Sequence, residues 1–369
     1  MWGRFRRPKT INPPETLYAK MLNYEPGVLR MKWKGHGLKV EQFGIEHLHL
    51  REIPTPVIGE HEVLVKTTAV SLEYHDLIVV ENRIPFGIPL PHIPVSEGVG
   101  MVEEVGSKVT RWKKGDRVII PFIVRWEAGR NTPYHDQLRT SFSAPGLLAE
   151  YTVQPENTLV RTPGNLSDEE AAPLPVGGLT VWTCLVEQAN IRAGQTILVQ
   201  GSGGVSLFAL QIAKTFGLKV IATTGSKQKE WPLKDLGADE VINYKEFPEW
   251  SKEVKRRNSG RGVDITLDVA GTNTIAQSIL SVKQHGFVGL IGLMTGTQLT
   301  IDLIPLITNY VRLQAYSVGN AQELGDFVNA IEVNNIKPVI DSVYPLEKVQ
   351  DAFHRFKSGK AFGKVIIKF

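Results

Sequence analysis

Cysteine is almost missing from this chain of 369 residues, and Cys184 is its one thiol. An internal disulfide is therefore impossible, and a multi-cysteine zinc site is excluded. The thiol lies among Trp182, Leu185 and Val186 on an apolar segment, which reads as a buried, inert side chain and not a nucleophile. No apolar run approaches the roughly 18 residues of a membrane span. So few thiols suit a reducing compartment, and the chain is read as cytoplasmic, with no membrane partner. Internal repeats and low-complexity segments are absent as well.

A large charge of one sign is also lacking once the first residues are set aside. The pI is about 8.9, yet eight of the 42 basic and two of the 38 acidic side chains fall within residues 1–34. The remainder carries 34 basic against 36 acidic residues, so a nucleic-acid partner is rejected for the body of the protein. Residues 1–30 contain Pro8, Pro13 and Pro14 and no serine. They are expected to form a disordered basic extension, with organelle targeting as the alternative.

What the chain does have is the stretch ILVQGSGGVSLFALQIAKTFGLKVIATTGSKQ, residues 197–228. The short apolar run Ile197–Gln200 reads as a buried strand, and Gly201-Ser202-Gly203-Gly204 follows at once. Helical spacing then starts at Val205 and ends at Gly217, and Val220–Thr223 reads as a second strand. Strand, glycine turn, helix and strand in this order predict a βαβ unit that binds a dinucleotide. Gly201 permits the tight turn, and Gly203 lets a pyrophosphate approach the backbone above the helix N-terminus. Ser206 replaces the third glycine of the usual fingerprint.

One further absence selects the cofactor. An NAD site usually carries an acidic residue at the end of its second strand, and Thr223-Thr224-Gly225-Ser226-Lys227 has none. Lys227 could pair with a 2′-phosphate while Thr224 and Ser226 donate to it, so NADPH is the expected cofactor.

Before this unit, short strands (Leu48–Glu52, Val63–Thr68, Val99–Val105, Arg117–Pro121, Ala149–Val153) predict a small β-rich, barrel-like domain. The polar stretch 122–148 between the last two either covers a pocket or is an exposed excursion. After the unit, helices and strands alternate through Phe287–Gly292, which predicts a doubly wound parallel sheet. The strand Lys364–Phe369 is expected to return to the first domain.

In sum, the chain resembles the medium-chain dehydrogenase/reductase superfamily, and within it the zinc-free quinone oxidoreductase-like branch. The resemblance covers about residues 31–369. It rests on Gly59-Glu60-His61-Glu62-Val63-Leu64-Val65, Gly115-Asp116-Arg117-Val118, Leu179-Thr180-Val181-Trp182, Leu236-Gly237-Ala238-Asp239, Gly262-Val263-Asp264 and Phe362-Gly363-Lys364-Val365. It implies a GroES-like catalytic domain at 31–160 and 317–369, with a Rossmann domain inserted at 161–316. It also implies a homodimer through edge strands near Arg312–Ala315.

The zinc-type members hold catalytic zinc through Cys, a His-Glu pair and a distant Cys or Asp. At the matching places stand Glu73 and Ser96-Glu97, a poor zinc site. The branch resembled transfers hydride from a nicotinamide to a quinone, enone or enal without metal. Tyr74 matches an aromatic residue at the substrate pocket and is the candidate proton donor, with packing as its alternative role. Thr180 and Leu293 match positions beside the nicotinamide, and Tyr244 matches a tyrosine near the 2′-phosphate. With Gly201, Ser202, Gly203, Gly204, Val205, Thr224, Ser226, Lys227 and Lys364 they form the expected cofactor site. His75 and Asp76 read as a structural turn and not as an acid–base pair. Two other readings stay open, a zinc-free alcohol or carbonyl dehydrogenase and a non-enzymatic NADPH-binding protein.

Overall fold

Segments from the two ends of the described chain meet in one sheet. The computed structural model describes residues 34–84 and 86–369, so the basic extension 1–30 lies outside them. The terminal strand Lys364–Lys368 pairs antiparallel with Glu62–Ser71, as its expected return requires. The sheet runs in the order Ile340–Pro345, Lys364–Lys368, Glu62–Ser71, Glu97–Val105, Arg117–Ile120 and Val160–Arg161, with Tyr151–Pro155 also paired to Glu62–Ser71. Val63, Val65, Val70, Val102, Val118, Ile120 and Phe353 form its core.

The middle of the chain builds a second sheet of six strands, all parallel. Its order is Glu240–Asn243, Lys219–Thr224, Thr196–Gln200, Val263–Asp268, Val282–Leu290 and Arg312–Ala315. The chain order therefore reverses beside Thr196–Gln200, and ligands bind at such switch points at the C-terminal ends of the strands. Every residue of Thr196–Gln200 is buried, as expected for a strand covered by helices on both faces. Arg312–Ala315 is an edge strand, and the short helix Leu303–Thr308 beside it has no buried residue.

Three expectations need correction. His75 and Asp76 do not form a turn; they lie in the helix Tyr74–Val80, whose N-cap Glu73 and third residue Asp76 make a reciprocal capping box. Acidic residues at these two positions satisfy the orphan amides of a first helical turn. The strand predicted from Phe287 begins earlier, at Val282, with a bulge between the two positions. Finally, residues 122–148 are an exposed excursion only in part: Phe122, Ile123, Trp126, Leu138 and Leu147 are buried, whereas residues 127–134 are all exposed.

Candidate active site

The glycine turn is open where a phosphate would need it open. Gly201 has φ +80°, a left-handed conformation that glycine adopts without steric cost. Gly203 is the N-cap of the helix Gly204–Thr215, and no side chain caps that helix. A Cβ added at Gly201 or Gly203 would meet no atom within 4 Å. Uncapped amides, the helix dipole and clear space together fit a dinucleotide pyrophosphate. Val205 follows in the first turn. Ser206 is buried and donates to the Gln200 carbonyl at 2.6 Å, so it ties helix to strand where a third glycine would only allow close approach. The buried Ser202 accepts from the Gly363 amide at 3.0 Å, which stitches the turn to the terminal strand of the other sheet.

The predicted ribose-end residues come together at the ends of two neighbouring strands. Thr224 closes Lys219–Thr224, and its hydroxyl accepts from the Ser226 amide at 3.2 Å. The Tyr244 amide donates to the Thr224 carbonyl, and the Tyr244 hydroxyl lies 2.3 Å from where a Gly225 Cβ would be. The ring thus lies against Gly225, with Lys227 exposed at the start of the next short helical turn.

Lys364 meets this cradle with its stem alone. A Cβ on Gly204 would fall 2.1 Å from Lys364 Cδ. The ammonium turns the other way, donating to Glu97 Oε1 at 2.6 Å, Glu73 Oε1 at 2.7 Å and the Leu72 carbonyl at 2.8 Å. Glu97 also accepts from the Val176 and Gly177 amides, each at 3.1 Å, which come from a π-helical segment, Leu174–Gly178. Such segments are frequent at functional sites.

Two carboxyls around one ammonium cannot both ionise cheaply in a buried setting. Burial raises Glu97 to about 8, against the pull of Lys364 and with a push from Glu73. Burial also acts upward on Glu73, but the Lys364 ammonium, through its charge and its hydrogen bond, leads the effects that outweigh it and leave Glu73 below its ordinary value. Lys364 loses by burial and gains more from the two carboxylates, so it stays charged. One proton is therefore shared out to Glu97, and the cluster is neutral overall.

Beside it, the His75 ring sits 5.3 Å from Phe122 and 5.5 Å from Phe142. Its Nε2 is hydrogen-bonded to Ser96 Oγ. Burial holds His75 neutral, at about 4, with Glu73 pulling upward and Lys364 and Arg139 pushing down. The Tyr74 hydroxyl accepts from Arg83 Nη1 at 3.3 Å and donates to the Met294 carbonyl at 3.4 Å. That contact brings the helix start to the segment of Leu293, which is 39% exposed. Thr180 is buried and donates to the Ser317 carbonyl at 2.9 Å.

The structure thus brings the predicted turn residues and ribose-end residues to the C-terminal ends of neighbouring strands of the parallel sheet. Sequence reasoning missed the joint Glu73–Glu97–Lys364 cluster and the pairing of His75 with Ser96. The dense run Glu73-Tyr74-His75-Asp76 was the available signal. A zinc ion does not fit here: the two carboxyl groups that converge are already held by an internal ammonium, His75 is turned to Ser96, and among the described residues no three His, Cys, Asp or Glu side chains are grouped to hold a metal.

Comparison with known proteins places these features in context. The family model described as alcohol dehydrogenase GroES-like domain matches residues 59–164. The one described as zinc-binding dehydrogenase matches residues 204–333, which include neither Glu73 nor Ser96-Glu97. A zinc-type alcohol dehydrogenase-like protein of Schizosaccharomyces pombe is 34% identical over 332 residues, covering 88% of this chain and 96% of that protein. Human quinone oxidoreductase is 29% identical over 343 residues, covering 89% and 96%. The crystal structure of an NAD-dependent alcohol dehydrogenase, 32% identical, superposes with a TM-score of 0.84 over 90% of this chain and 99% of that one.

Proposed function

The chain belongs to the medium-chain dehydrogenase/reductase superfamily and is an oxidoreductase with a nicotinamide cofactor, and from this premise we propose that it reduces a quinone or an α,β-unsaturated carbonyl with NADPH and without a metal. The observation that carries the reading is the buried cluster itself. The two carboxyl groups at the zinc-ligand positions are committed to Lys364, which leaves them poorly suited to hold an electrophilic metal that would polarise an alcohol or a simple carbonyl.

When bound, the nicotinamide supplies a hydride. A conjugated acceptor takes it at the β-carbon or on a quinone ring, and its oxygen then needs only a proton and a hydrogen-bond donor. Glycines 201 and 203 and the first amides of Gly204–Thr215 hold the pyrophosphate. Thr180 and Leu293 would flank the nicotinamide, and Thr224, Ser226, Lys227 and Tyr244 would receive the 2′-phosphate. Absence of any carboxylate on 223–227 supports NADPH over NADH. The similarity to human quinone oxidoreductase supports the acceptor class.

An alcohol dehydrogenase reading is favoured by the NAD-dependent structural neighbour. A panel of quinones, enones, enals and simple aldehydes, offered with NADPH or NADH to chelator-treated protein, separates the two. Turnover of conjugated acceptors with NADPH strongly preferred is expected. Activity confined to simple carbonyls, or recovered only with zinc, would sink the proposal.

The same reading includes a homodimer through Arg312–Ala315. Ile304 and Ile307 are 69% and 67% exposed beside that edge strand, and an uncovered edge next to apolar side chains invites pairing with a second copy. Sedimentation should give a dimer for the parent chain and a monomer for Ile304→Glu/Ile307→Glu; a monomeric parent contradicts this.

A further inference from the structure

Behind the helix start Tyr74–Val80 lies a polar chain that the reductase reading has not used. Resting on that reading, we propose that His75 is the acid that protonates the acceptor oxygen, and that Ser96 and Asp76 form the relay that resupplies it.

Four observations carry this. Ser96 is fully buried, and its Oγ is hydrogen-bonded to His75 Nε2. Asp76 is also fully buried; its Oδ2 accepts from the Glu73 amide at 2.8 Å, while its Oδ1 lies 3.5 Å from the same His75 nitrogen. Ser96 is close enough to act on the Asp76 carboxyl, while Oδ1 has no hydrogen-bond partner and its nearest titratable neighbour is His75. A buried oxygen without a partner is costly as part of an anion and tolerable as the O–H of a carboxylic acid. Burial indeed raises Asp76 to about 7, with the Glu73 amide and Ser96 pulling back, Glu73 pushing further up and Lys364 pulling down.

The third observation is strain. Val95, immediately before Ser96, is β-branched and fully buried at φ +74°. A branched residue rarely adopts this conformation, and such strain collects where a neighbour must be aimed. The fourth is the ring's free side. His75 makes its hydrogen bond through Nε2, and Nδ1 has neither a partner among the described residues nor a place among the buried unpaired atoms. A quarter of the side chain is exposed. Its neighbours lie against the proposed cofactor site: Tyr74 reaches the carbonyl of Met294, next to Leu293, and Glu73 lies against Gly177.

The step balances without another reagent. As the acceptor oxygen collects the electron pair displaced by hydride, the His75 Nδ1–H bond breaks and an O–H bond forms. Ser96 passes its hydroxyl proton to Nε2 and takes one from Asp76 Oδ1. Asp76 ends as a carboxylate and regains a proton from solvent by the reverse route. His75 is faced by Glu73 on its own helix start, Lys364 on the terminal strand and Arg139 on 122–148; Asp76 is faced by Glu73 and Lys364.

The test has two independent arms on the full chain. In the first, infrared spectra of parent and Asp76→Asn proteins at pH 6 should differ by one protonated carboxylic-acid carbonyl band. Loss of no such band would overturn the relay whatever the substrate proves to be. In the second, His75→Gln and Ser96→Ala should each lower kcat on a conjugated acceptor by about 100-fold, with the Kd for NADPH within about twofold of the parent. A loss carried by Tyr74→Phe and not by His75→Gln would overturn it. A parent with no turnover of any conjugated acceptor would refute the reductase reading, and His75 as its acid with it, while the infrared arm still reports whether Asp76 stores the proton.

Discussion

The two walls of the proposed cleft are built on opposite terms. On one side the phosphate cradle works by leaving things out: no Cβ at residues 201 and 203, no capping side chain on Gly204–Thr215, no acid on 223–227. On the other, Glu73, Glu97 and Lys364 crowd three ionisable groups into a buried volume, with His75, Ser96 and Asp76 beside them. The cradle would receive its charge from the proposed ligand, whereas the cluster carries its own and neutralises it internally. Removing a side chain should therefore harm the second wall, and adding one should harm the first.

The largest effect expected from this contrast is on stability. Lys364→Met leaves two buried carboxyls without their cation, which should cost about 3–5 kcal/mol, read by urea denaturation at pH 7. A loss under about 1 kcal/mol would mean that the carboxyls find water and that the cluster is not closed. Gly203→Val should behave in the opposite way. Its new side chain meets no atom near Cβ, so stability should hold, while NADPH affinity drops by about 10- to 100-fold, about 1.4–2.8 kcal/mol. Calorimetric titration with unchanged affinity would remove the cradle from the cofactor site. Lys227→Ala should weaken NADPH by about tenfold through one lost charge-assisted contact and leave NADH unchanged. An equal loss for both would put Lys227 away from the 2′-phosphate.

A further test sharpens the comparison through pH. Glu97 titrates at about 8 when folded against an ordinary 4.5. The folded state therefore holds a proton that the unfolded chain releases, and this contribution to stability is full below about 4.5 and fades as pH rises through 8. Asp76, at about 7, acts in the same sense over a window that starts lower. Glu97→Gln cannot titrate, so its stability should fall less between pH 5 and 8 than that of the parent protein. An identical pH slope in the two proteins would show that Glu97 is already ionised.

Much of the first wall was legible because it is local. Strand, glycines and helix occupy residues 196–215 in one run, and the missing acid lies just beyond. The return of Lys364–Lys368 to the first sheet was legible from the resemblance. The second wall was not, because its chemistry depends on contacts such as Lys364 with Glu73 and Glu97, whose residues lie 291 and 267 positions away along the chain. A lysine in Phe362-Gly363-Lys364-Val365 was assigned to the cofactor because nothing in the sequence says which way its ammonium turns. His75 and Asp76 were set aside as a turn because the capping box that makes them helical pairs Glu73 with Asp76 across a histidine, a pattern weaker than the serine-led form at Ser167–Glu170.

The account stands on hydride reaching carbon in a metal-free cleft. The direct measurement is reduction of an enone by chelator-treated protein with NADPH deuterated at the transferred C4 position, followed by NMR of the product. The account predicts a saturated ketone with deuterium at the β-carbon. Deuterium at the carbonyl carbon of an allylic alcohol, or no label transferred until zinc is restored, would contradict it.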